Sequence, residues 1–110
     1  MKVLDDPNVS GRNEEMNALL AALTSLRKGD ARARLPLQWT GVAGKVADVF
    51  NDVVEQNAGM AEELSRLRQV VGKEGKLKQR AVLRDARGFW AESVECINSL
   101  IDDLVHPTSE

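Results

Sequence analysis

Between Gly41 and Gly72 the chain reads GVAGKVADVFNDVVEQNAGMAEELSRLRQVVG, and one series runs through it: Val46, Phe50, Val53, Asn57, Met60, Leu64, Leu67, Val71. Its steps alternate between four and three residues without a break. That spacing keeps one seam of a helix facing a partner helix in a left-handed coiled coil. It predicts a helix over 41–71, roughly 45 Å long at ~1.5 Å per residue. A monomer of 110 residues has no core that would bury so long a stripe, so the spacing predicts a second copy of the chain against it.

Composition agrees with a helical bundle. Hydrophobic residues make up 43% and charged residues 29%, which excludes disorder by composition, while 4% aromatics are too few for an independent globular core. A net charge of −2 supplies no field toward nucleic acid or an anionic membrane. The single cysteine, Cys96, excludes an intrachain disulfide and a cysteine zinc site and fits a reducing, cytoplasmic setting. No apolar run approaches the ~20 residues of a membrane span. Residues 1–12 are polar and turn-rich, and residues 106–110 follow a well-patterned helix abruptly, so both ends read as cut from a longer protein.

Outward from the central helix, the chain repeats. Gly29-Asp30-Ala31-Arg32-Ala33-Arg34-Leu35-Pro36-Leu37 aligns with Gly75-Lys76-Leu77-Lys78-Gln79-Arg80-Ala81-Val82-Leu83 at an offset of 46. Ala47, Phe50, Asn51 and Val54 align with Val94, Ile97, Asn98 and Ile101 at an offset of 47. Each unit reads as helix, connector, helix, over 13–58 and 59–105. The first helix is expected from Asn13, as N-cap, to Lys28, with Met16, Leu19, Leu23 and Leu26 as its seam and Glu14 and Glu15 in its first turn. Gly29 is its stop. Thr40 is placed to cap the long helix, which Gly72 and Gly75 are expected to end. The last helix is expected over 89–105, with Trp90, Val94, Ile97, Ile101 and Leu104 as its seam and Pro107 as its stop.

The connectors, 29–40 and 72–88, exceed the ~2–8 residues that join antiparallel neighbours. An extended linker of twelve residues reaches up to ~40 Å, enough to return along a helix and start a parallel one. Leu35, Leu37 and Val42, then Leu77, Val82 and Leu83, would pin them to the bundle.

These features resemble the HAMP domain, the signal-relay module of sensor histidine kinases and chemoreceptors. The resemblance rests on the heptad helix, the Gly-Asp and Arg-Leu connector, and Gly44-Lys45-Val46-Ala47-Asp48-Val49-Phe50-Asn51. Trp39-Thr40-Gly41-Val42-Ala43-Gly44 and Ser99-Leu100-Ile101-Asp102-Asp103-Leu104-Val105 look more specifically like the tandem poly-HAMP arrays of hybrid histidine kinases. The resemblance covers about residues 13–105. It implies an all-α fold of parallel homodimeric four-helix bundles, two units stacked through a shared helix, relaying a signal to a kinase or similar output. One departure is plain: the Asp-Glu-x-Gly motif of many membrane-linked members is absent, with Gly41-Val42-Ala43-Gly44 and Gly88-Phe89-Trp90-Ala91 in its place. No contact through that glutamate carries over.

No catalytic, phosphate-loop or metal-ligand constellation stands out, and no cofactor is expected. The expected partners are a second copy of the chain and adjacent signalling domains, with neither nucleic acid nor membrane. His106 precedes Pro107 at a helix end, which suits a terminal cation better than a mid-helix phosphoacceptor. The basic run Lys73, Lys76, Lys78, Arg80, Arg84, Arg87 lacks the interleaved aromatics of a nucleic-acid surface and reads as a solvated connector. Trp39 and Trp90 read as junction packing, Cys96 as an inert thiol, and Glu14-Glu15 and Glu62-Glu63 as solvated faces. Asn57 reads as a register or junction residue. Two alternatives to a relay stay open: a static dimeric spacer, and a phosphotransfer bundle using His106.

Overall fold

A computed structural model describes residues 7–106. Among the described residues the fold is all-α, with no strand: α1 (Pro7–Arg27), α2 (Gly41–Leu67) continued by a π-helical turn over Arg68–Lys73, and α3 (Phe89–Val105). The expected stop at Pro107 and the segments 1–6 and 107–110 lie outside the described residues. The chain divides into two compact units, with the boundary between Glu55 and Gln56.

In the first unit, α1 begins six residues before the expected cap, and Asn13, Glu14 and Glu15 lie inside the helix. The polar, turn-rich composition of 7–12 conceals this part of the helix from a reading of apolar spacing. Gly11 weakens such a helix by only about 1 kcal/mol. The far end follows expectation. Asp30 N–H donates to Ser25 O (3.0 Å) and Gly29 N–H to Leu26 O (2.8 Å), with Gly29 at φ +88°. Only glycine takes that left-handed geometry without steric penalty.

The core of this unit is Ala22, Ala33, Leu35, Ala47, Phe50 and Val54, with Ala18, Leu19, Leu26 and Trp39 packed partly against it. On α2 the covered stripe is therefore Ala47-Phe50-Val54, one residue round from Val46 and Val53, which stay exposed. Gly44 is fixed by proximity: a Cβ there would stand 2.5 Å from the Trp39 carbonyl oxygen. That close approach turns the connector into α2, where Gly44 N–H donates to Thr40 O (3.2 Å).

Among the described residues of the second unit, Leu67 and Ala81 are the buried ones. These reverse the sizes of Ala22 and Leu35 in the first unit: large on the helix and small on the connector, instead of small and large. The α-helix stops at Leu67 instead of Val71, and Gly72 lies inside the π turn without a positive φ; Gly75, at φ +68°, is the true stop. The reason is a count. Ala22 precedes Gly29 by seven residues and Leu67 precedes Gly75 by eight, so one extra residue must be absorbed. A π turn is the helical device for that. Its wide bond is Glu74 N–H to Gln69 O (2.9 Å), and Lys76 N–H then closes on Val70 O (2.8 Å). α3 has the expected bounds.

Candidate functional site

Two arrangements stand out, a clamp that occurs twice and an open apolar groove. In the first clamp, Leu35 N–H donates to Asn51 Oδ1 (2.8 Å) and Asn51 Nδ2 donates back to Leu35 O (3.0 Å). A side-chain amide has the donor and acceptor to pair both polar groups of one backbone residue, as a neighbouring strand would. Beside it, Arg34 curls over its own connector, donating to Ala31 O (3.0 Å) and Ala33 O (2.7 Å), and pairs with Glu55 one helical turn beyond Asn51.

The second unit repeats each contact. Ala81 N–H donates to Asn98 Oδ1 (2.7 Å) and Asn98 Nδ2 to Ala81 O (3.1 Å). Arg80 donates to Leu77 O (2.7 Å) and Gln79 O (2.7 Å) and pairs with Asp102 (2.6 Å), again one turn beyond the asparagine. The sequence showed Arg34/Arg80 and Asn51/Asn98 only as aligned residues. An acid four residues after each asparagine, Glu55 after Asn51 and Asp102 after Asn98, is the spacing in the sequence that marks the pair.

The clamps decide which connector residues are inside. Leu35 is buried, and Leu83 is half-buried beside Gly59, where a Cβ would meet its Cδ1 at 3.2 Å. The side chains of Leu37, Val42, Leu77 and Val82, expected to lie against the bundle, are exposed within the single chain. The extended stretch ends at Pro36, and a turn at Leu37–Gln38 carries Leu37 outward; Val42 belongs to α2.

The groove lies in the first unit, between α1 and α2, with a volume of about 560 Å³. Leu19, Leu23 and Leu26 form one wall, Val42, Val46, Val49, Phe50 and Val53 the other, and Lys45 is its one charged lining residue. Val42, Val46, Val49 and Val53 repeat the four-three-four step, so α2 carries two parallel stripes, one covered by its own unit and one open. Among the other seam positions, Met16, Leu64 and Leu104 are exposed, whereas Asn57, Met60, Val71, Trp90, Val94, Ile97 and Ile101 are half-buried.

The remaining candidates divide. His106 follows α3, its backbone N–H donating to Asp102 O (2.7 Å). Within the basic run, Arg80 is engaged by Asp102 and Lys76 by Glu74 (3.0 Å). Trp39 packs against the first core, Trp90 lies 4.8 Å from the Phe89 ring, and Cys96 is exposed. Glu63 corrects the expectation of a solvated face: its side chain is 13% exposed and is held by Arg66 (2.7 Å). No helix among the described residues is long and apolar enough to cross a membrane. No family model and no solved structure matches the chain.

Proposed function

We propose that this chain is a signal-relay module of the HAMP type: two tandem units in a parallel homodimer, each a four-helix bundle, carrying a conformational bias to a kinase or similar output of a cytoplasmic two-component sensor. The observation that carries the reading is the open groove of the first unit. Eight apolar side chains line it on two helices at heptad spacing, beside a single lysine. Covering each valine or leucine contributes ~1.5–3 kcal/mol once a partner excludes water, and a second copy offers the same stripe.

A relay needs an element with two packings that both ends of the module bias. The clamps support this role, because they tie each connector to the helix that follows it. A helix that rotates then takes its connector along. Replacement of Asn57, Gly59 or Met60 separates relay from spacer. In the sensor that carries this segment, such variants change autophosphorylation several-fold while the isolated chain keeps its helicity. Variants that shift only the melting temperature and leave output unchanged would favour a static spacer.

A further inference from the structure

The second connector has a hold that the first lacks. Glu63, on the helix that opens the second unit, accepts hydrogen bonds from Arg66 Nε (2.8 Å), Arg66 Nη2 (2.7 Å) and Val82 N–H (2.7 Å). Arg66 also donates to Arg80 O (2.8 Å) and to Gln79 Oε1 (3.0 Å). The connector is thus held on one side by Asn98 and Asp102 and on the other by Glu63 and Arg66. With Leu67 matched to Ala22, Glu63 and Arg66 fall on Ala18 and Ala21, which carry no hydrogen-bonding side chain. Val82 falls on Pro36, which has no N–H to give. Where the second unit has the carboxylate and the guanidinium, the first has a groove of about 380 Å³ bordered by Ala18, Ala21, Ala33 and Pro36.

We propose that Glu63 and Arg66 form a latch that makes the second connector the slow-opening one, so that the first unit yields to an input before the second does. Lifting the first connector breaks the Asn51 pair and the Arg34–Glu55 contact. Lifting the second breaks the equivalent set and also takes the Val82 N–H from the Glu63 carboxylate and Arg80 O and Gln79 Oε1 from the Arg66 guanidinium, three bonds to charged groups whose loss is larger than that of neutral bonds. The difference in opening follows from contacts inside each unit; the order of yielding rests on the relay reading above.

Leu35 and Ala81 are matched reporters, since each amide donates to a clamp asparagine. Amide hydrogen exchange by NMR on the 110-residue chain, corrected for intrinsic rates, is expected to show Ala81 slower than Leu35 by about tenfold or more. Glu63→Ala raises the Ala81 rate to near that of Leu35 and leaves Leu35 unchanged. Arg66→Lys, which keeps the charge but loses the fork, raises it part of the way. If Glu63→Ala loosens the whole unit, seen as equal acceleration at Ile97 and Ile101, the milder Arg66→Lys decides. Equal rates at Leu35 and Ala81 in the unsubstituted chain, or an Ala81 rate that Arg66→Lys leaves unmoved, overturn the latch. Sedimentation of the same samples keeps the two ideas apart. A monomer with Ala81 slower removes the relay and retains the latch, and a dimer with equal rates does the reverse.

Discussion

Glu63 shows how much one side chain can decide in a small helical unit. Its carboxyl is held below the usual value of 4.5 chiefly by the hydrogen bonds from Arg66, with the Val82 N–H adding to them and burial opposing. Glu74 is lowered in the same direction by hydrogen bonds from Lys76 and Gln69. A carboxylate whose pKa is depressed on folding contributes stability that is fully present above its unfolded pKa and lost as pH falls through the folded one. The melting temperature followed by circular dichroism should therefore hold near neutrality and fall as pH drops below about 4.5, the unfolded value of both carboxyls. Glu63→Gln should lower it at pH 7 by an amount equivalent to about 1–3 kcal/mol and flatten its fall in acid. A variant whose acid dependence matched that of the unsubstituted chain would remove Glu63 from the account. In the sequence, Glu63 looked like the second acid of an exposed pair, because heptad position alone does not reveal a connector lying over it.

At the level of elements, the bounds of α2 at Gly41 and of all of α3 were legible from heptad spacing and glycine stops. The end of the central helix was not. Gly72 and Gly75 are both glycines after an apolar run, and local chemistry gives no reason to choose between them. The choice is made by tertiary spacing, since Leu67 and Gly75 must both keep their places and one residue is left over. At α1 the reason is simpler: Asn13 is a good cap, yet the helix already includes the residues from Pro7 onward and runs through it. The stop glycines give a test with opposite signs. Gly72→Ala meets open space at a negative φ and should stabilise by roughly 0.4–1 kcal/mol. Gly75→Ala is forced to φ +68° and should destabilise by about 1–2 kcal/mol. Urea unfolding of both variants checks this; equal effects would contradict the π-turn account.

For the molecule as a whole, the open stripes are what folding leaves of the heptad seam. The seam predicted from spacing splits on folding into residues that each unit covers for itself, Phe50 and Leu67, and residues that stay outside, among them Leu23, Val46, Val53 and Leu64. Spacing could not separate the two sets, because a helix packed on both sides shows one broad apolar face. The duplicated clamp was half visible, as aligned arginines and asparagines, and became a site only when the connector was folded onto its helix.

The proposed relay rests on a parallel dimer of these open stripes. In a Cys96→Ser background, single cysteines at Leu23, Val53, Leu64 and Ile101 test it directly by disulfide formation at micromolar protein. A symmetric parallel dimer brings each seam position close to its own copy, so rapid cross-linking is expected at most of the four sites and at none of the control positions Asp52, Glu62 and Glu95. An antiparallel dimer brings a position near itself only where the symmetry axis passes. Efficient cross-linking at one site or none would contradict the parallel arrangement and the relay built on it.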